Sequence, residues 1–169
     1  MRKLYIIIGI IVIIGIVAIG SIAFIFNSIM SGADTSDWVD KDLAELKFKL
    51  PQNLGNGEIY EDNDTENGNI EHIYEVADKK FIIQVFKNDE DSSLWDENLA
   101  SLRKESADTE SFTINENHLE IFSNVEGDEL NYALFNAGDN KVIISYPDDI
   151  SIPVIKSIAY SFFDLNKIE

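Results

Sequence analysis

Residues 61–72 read EDNDTENGNIEH, with Glu61, Asp62, Asp64 and Glu66 interspersed among Asn63, Asn67 and Asn69 around Gly68. Carboxylate and amide oxygens at this density are the ligands a hard cation such as Ca2+ selects. The helix–loop–helix calcium register asks for more: oxygen donors at positions 1, 3 and 5, glycine at 6 and a bidentate carboxylate at 12. With Gly68 as the sixth residue, Asn63, Thr65 and Asn67 take positions 1, 3 and 5, and Tyr74 takes position 12. The first ligand is uncharged and the last is a phenol, so the register fails. What remains is a loose cation site made from Glu61, Asp62, Asp64 and Glu66, set against the plainer reading of a solvated loop between two strands. The plainer reading is preferred, and no metal or cofactor is expected. Asn63-Asp64-Thr65 also spells a glycosylation sequon.

Other reactive types are sparse. His72 and His118 are the only histidines, and there is no cysteine. Zinc hydrolysis needs both histidines close together with a carboxylate and an open coordination position. The pattern instead puts His72 in a strand and His118 in a turn. Without cysteine, disulfides, thiolate nucleophiles and zinc–thiolate sites are all removed. No G-x-S-x-G elbow, Walker loop or G-x-G-x-x-G occurs. Asp148-Asp149 and Asp89-Glu90-Asp91 place acids side by side, but sequence neighbours point apart, and both runs flank expected helices, where acids have structural work. Trp38, Trp95, Tyr146 and Tyr160 could line a ligand groove. Trp95 and Tyr160 fall on helix faces, where core packing is the preferred reading. Trp38 follows an apolar segment closely enough to sit at headgroup level.

That apolar segment runs from Leu4 to Phe26, 23 residues without a charge, and the next charge is Asp34. As a helix it measures about 34 Å, enough for a hydrocarbon core of about 30 Å. A cleaved signal peptide is the rival reading, with Arg2 and Lys3 as its basic start and Ser31-Gly32-Ala33 as its cleavage site. The apolar run exceeds the usual signal-peptide core of about 7–15 residues, so an uncleaved anchor is preferred. All 31 acidic residues lie after residue 33 together with 11 of the 13 basic ones, giving that part a net charge of −20. Arg2 and Lys3 therefore orient the N-terminus to the cytoplasm and residues 34–169 outside. Such an acidic surface excludes phosphate-neutralising nucleic-acid binding. It favours solubility, or partners that carry basic patches.

Three segments follow from this reading: an anchor over 1–26, a juxtamembrane linker with a short helix over 27–45, and an extracytoplasmic domain over 46–169. Val39, Leu43 and Leu46 recur at helical spacing in DWVDKDLAEL. Beyond them FKLP (48–51) reads as a short strand, IEHIYEV (70–76) and FIIQVFK (81–87) as a hairpin, and DEDSSLWDENLASLRKES (89–106) as an amphipathic helix with Trp95, Leu99 and Leu102 on one stripe. SFTI (111–114), LEIFSN (119–124), ELNYALFN (129–136) and KVIISYP (141–147) form a strand meander. A last helix carries Pro153 in its first turn and Val154, Ile155, Ile158 and Phe162 facing inward. Local hairpins imply a mostly antiparallel sheet with two packed helices, an α+β domain.

FKLP, the IYEV…FIIQVF hairpin, the LEIFSN…ELNYALFN…KVIISYP meander and the closing VIKSIAYSFF helix together resemble the PsbP-like α/β/α sandwich family, over about residues 46–164. That family includes photosystem accessory proteins and several bacterial and archaeal envelope proteins. The resemblance implies an accessory or binding module rather than an enzyme, and it maps no functional residue onto this chain. The expectation is thus a single-pass membrane protein with an outward-facing, non-catalytic binding domain and an unknown protein partner. A receptor domain for a small ligand or cation is the alternative, and an enzyme the third reading.

Overall fold

The computed structural model describes residues 35–64, 69–87, 93–114 and 116–166. The apolar segment 4–26, the Ser31-Gly32-Ala33 cleavage site, Glu66 and the acidic run 89–91 lie outside them. Among the described residues no helix is long and apolar enough to cross a membrane. Residues from Thr35 to Glu169 make up one compact unit.

That unit begins earlier than expected, because residues 39–45 do not form a helix. They form strand β1 (Val39–Leu43) and the turn into β2 (Leu46–Leu50). The turn residues Ala44 and Glu45 both have positive φ, at 54° and 69°, the backbone twist that a two-residue hairpin turn requires. Val39 and Leu43 satisfy a helical period and a strand period equally well. The tie is broken by β2, whose Leu46, Phe48 and Leu50 are buried and whose backbone pairs with β1 from Val39↔Leu50 to Leu43↔Leu46.

Seven further strands follow: β3 (Glu58–Asp64), β4 (Asn69–Val76), β5 (Phe81–Phe86), β6 (Ser106–Ile114), β7 (Asn117–Val125), β8 (Asn131–Ala137) and β9 (Asn140–Tyr146). They make one antiparallel sheet in the order β3-β4-β5-β9-β8-β7-β6. Helix α1 (Ser93–Glu105) joins β5 to β6, and α2 (Ile152–Leu165) ends the described chain. The α+β expectation of a mostly antiparallel sheet with two helices is met. Two of its details are not: β3 was expected to be loop, and β6 is longer than the four residues SFTI.

Alternation along the strands divides the side chains between two cores. On one face Tyr74, Phe81, Ile83, Val85, Ile121, Phe135, Val142, Ile144 and Tyr146 pack beneath the β1–β2 hairpin and α2. On the other, Phe122, Leu134 and Ile143 meet Trp95, Leu99 and Leu102 of α1. Val125 joins this second core although it shares parity with Ile121, because Asn124 adopts φ 54° and turns the strand over before it. Phe48 ties the larger core together. It stacks on Phe162 of α2 at 4.5 Å and meets Tyr74 edge-on at 6.2 Å. Each such fully buried aromatic stabilises the fold by roughly 1.5–3 kcal/mol through burial alone.

Helix α2 also closes a strand edge. The Lys47 amide donates to Asn166 Oδ1 (2.9 Å), and Asn166 Nδ2 donates to the Lys47 carbonyl (2.7 Å). One residue pair on, the Lys49 amide donates to Ser161 Oγ (2.9 Å). The side of β2 facing away from β1 thus finds in α2 the partners that another strand would supply.

Candidate functional site

The sheet's β3 end gathers most of what the fold leaves exposed. Five large apolar side chains are exposed among the described residues, and three of them, Ile59 (56%), Tyr60 (42%) and Ile70 (47%), lie on β3 and β4. Strand β3 pairs with β4 over seven positions, from Glu58↔Glu75 to Asp64↔Asn69. Its other side has no strand beside it among the described residues.

The register fixes which way each side chain points. Ile59 stands opposite Tyr74 and Glu61 opposite His72, so Ile59, Glu61, Ile70 and His72 share the face of the larger core. Tyr60 and Asp62 point to the opposite face. Glu61 lies 3.2 Å from His72 Nδ1. Across the pleat, the Tyr60 hydroxyl donates to Glu75 Oε2 at 2.6 Å, and this bond to a carboxylate, ahead of burial, pushes its pKa from 10.0 up to about 12. Beneath the edge the backbone is locked. The Tyr74 hydroxyl donates to the Leu54 carbonyl (2.6 Å) and accepts from the Gly57 amide (2.8 Å). A Cβ at Gly57 would come within 2.6 Å of both the Tyr74 ring and the Glu75 carbonyl, so only glycine lets β3 start there.

Of the candidate cation ligands, Glu66 lies outside the described residues, and the strand separates two of the others. Glu61 and Asp62 are successive residues of a strand and face opposite sides of the sheet, so they cannot close on one ion. Asp64 ends the same strand. Among the described residues no group of three or more His, Cys, Asp or Glu is arranged to hold a metal. Nor do the histidines meet. His72 lies on β4 and His118 on β7, rather than in the turn expected for it. Four strand spacings separate them, about 19 Å, and they project to opposite faces. His118 lies 3.6 Å from Glu120, whose carboxylate is also held by Arg103 of α1 at 2.9 Å. The sequon asparagine Asn63 falls within β3, and Thr65 lies outside the described residues.

The aromatic groove does not form either. Trp95 packs in the smaller core, Tyr146 is 1% exposed in the larger one, and Trp38 packs against that larger core instead of standing clear of the domain. Tyr160, expected to face inward, points to solvent. Among the described residues the buried Tyr146 hydroxyl makes no hydrogen bond of good geometry. Burial, with the neighbouring Ser123 opposing, raises its pKa to about 12. Asp148 of the expected acidic pair accepts a hydrogen bond from Asn131 Nδ2 (2.7 Å), which fixes the turn into α2.

Sequence reasoning missed Ile59, Tyr60 and Ile70. One signal was present: Ile59-Tyr60 is an adjacent apolar pair inside a stretch from Lys49 to Lys79 that holds eight acids and no intervening lysine or arginine. No family model, curated protein or solved structure matches this chain.

Proposed function

We propose that this chain is a membrane-tethered, extracytoplasmic binding module without catalytic activity, and that the β3–β4 edge is where it holds a protein partner. The observation that carries this reading is the outer side of β3, which has no strand beside it among the described residues, with Ile59 exposed on one face of the sheet, Tyr60 on the other and Ile70 exposed on the adjoining β4. An edge strand without a neighbour leaves backbone groups open to pairing with another chain. The divergence of Glu61 and Asp62 favours a protein partner over a cation. The placement of α1 on one face and of α2 with the β1–β2 hairpin on the other supports the proposal that the domain is a PsbP-like sandwich, which agrees with an accessory role.

The tether rests on the uncharged segment Leu4–Phe26, and the orientation on Arg2 and Lys3 before it and the acidic chain after it. Alkaline carbonate washing tests it directly. The protein stays in the membrane pellet, and protease added from outside digests residues 34–169. A mature N-terminus at Asp34 contradicts the tether.

A further inference from the structure

We infer that the partner docks by strand addition: an extended, lysine- or arginine-bearing segment of another protein lies along β3 (Glu58–Asp64) as an eighth strand. This rests on the binding-edge reading and gives the partner its chemistry.

The backbone supplies the first argument. An edge strand presents N–H and C=O groups on alternate residues, and these are a template for another chain. The same domain seals the comparable side of β2 with Asn166 and Ser161. No such bond to the backbone of β3 reaches its outer side among the described residues. Proline and lysine are both absent from EIYEDND, so acidic charge is the one deterrent to edge pairing in this strand, and it acts against acidic or neutral partners and not against basic ones.

Charge supplies the second argument and selects the occupant. Glu58, Glu61 and Asp62 are exposed along this strand. A second copy of the chain paired at β3 would bring acids against acids, and like charges across a strand pair are destabilising. With a net charge of −18, the chain repels its own copies generally. An incoming strand must therefore be foreign and basic. The pleat sets its pattern. Beside Ile59 and Tyr60 it offers apolar side chains, one on each face. Beside Glu61 and Asp62 it offers lysine or arginine, again one on each face. Two apolar residues next to two basic ones on an extended segment match both faces at once.

The test titrates the full-length protein, held in nanodiscs of neutral lipid, with three synthetic peptides. The first alternates apolar and basic pairs, the second replaces its lysines by glutamates, and the third is the basic peptide N-methylated at alternate amides. Binding is followed by fluorescence anisotropy, and amide hydrogen exchange locates it. We expect the basic peptide to bind at least tenfold more tightly than the N-methylated one and to slow exchange over residues 58–64. The acidic peptide leaves both signals unchanged, and the double variant Glu61→Lys, Asp62→Lys weakens the basic peptide at least tenfold. Equal binding of the N-methylated peptide overturns strand addition, as does protection at β6 instead of β3. Protection of 58–64 that rises with protein concentration in the absence of peptide makes a second copy the occupant and also overturns it. If the basic peptide fails while a photo-crosslinker at position 60 still captures a membrane protein at a defined site, strand addition falls and the binding-edge reading stands. If neither occurs, both fall.

Discussion

Strands β2 and β3 each have one side paired to a neighbouring strand, and they differ in what lies on the other. Beyond β2 stands α2, whose Asn166 and Ser161 bond to the Lys47 and Lys49 backbone. Phe162 of the same helix stacks on Phe48 from β2. Beyond β3, among the described residues, there is no strand, and Ile59 and Tyr60 stand exposed. A fold that seals one edge with side chains shaped for the purpose has the means to seal another. Side-chain caps and core packing cover the outer side of β2, whereas acids alone line that of β3 among the described residues, and on the proposed reading a partner of opposite charge uses that difference.

The largest effect is expected on the sealed side. Phe162→Ala removes the ring that joins α2 to β2 and β8, and should lower unfolding free energy by about 3–5 kcal/mol, measured by chemical denaturation. Next comes Asn166→Ala. Loss of its bonds to Lys47 should cost about 1–2 kcal/mol and speed amide exchange at Lys47, opening that part of β2 as an edge of the β3 kind. An unchanged exchange rate there would break the comparison. On the unsealed side, Ile59→Thr and Ile70→Thr keep branched side chains and remove exposed apolar surface. Stability should then move by no more than about 0.5 kcal/mol, while partner capture falls. A large loss of stability would mean that these residues serve the fold instead.

The smallest effect is a titration. Tyr60 has a folded-state pKa pushed from 10.0 up to about 12, chiefly by its hydrogen bond to Glu75. Its neutral form is the one the fold favours, so the stabilisation is full below pH 10 and is lost as pH rises toward 12. Ultraviolet difference titration against a Tyr60→Phe variant should show one phenol ionising late. Glu75→Gln should bring that ionisation back toward the ordinary tyrosine range.

What the sequence disclosed follows from how strongly each element is patterned. β8 and β9 carry unbroken apolar runs, those of β5 and β7 are interrupted only by Gln84 and Glu120, and α1 and α2 carry single stripes, so their existence and type were readable within a few residues. β1 was misread because Val39 and Leu43 fit both periods, and only the tertiary partner β2 decides between them. β3 was misread because Glu, Asp and Asn have little strand propensity and its two apolar residues are adjacent, which leaves no alternation to find. Pairing with β4 overrides both signals. The exposed edge at β3 stayed hidden for the same reason: a residue is seen as exposed on an edge only once the strand order is known. Most of EDNDTENGNIEH (residues 61–64 and 69–72) therefore belongs to two paired strands, and the pleat sends the adjacent carboxylates Glu61 and Asp62 to opposite faces.

The most direct test of the account places a photo-reactive amino acid at position 60 of the full-length protein in its native membrane, and in a second sample at position 47 beside the sealed edge. After illumination, position 60 should yield a discrete crosslink to one membrane-associated or extracytoplasmic protein, with the attachment mapping to an extended, basic segment of that partner. Position 47 should yield none. Crosslinking from position 47 alone, or equally from both positions, would contradict the claim that the β3 edge is where this module binds.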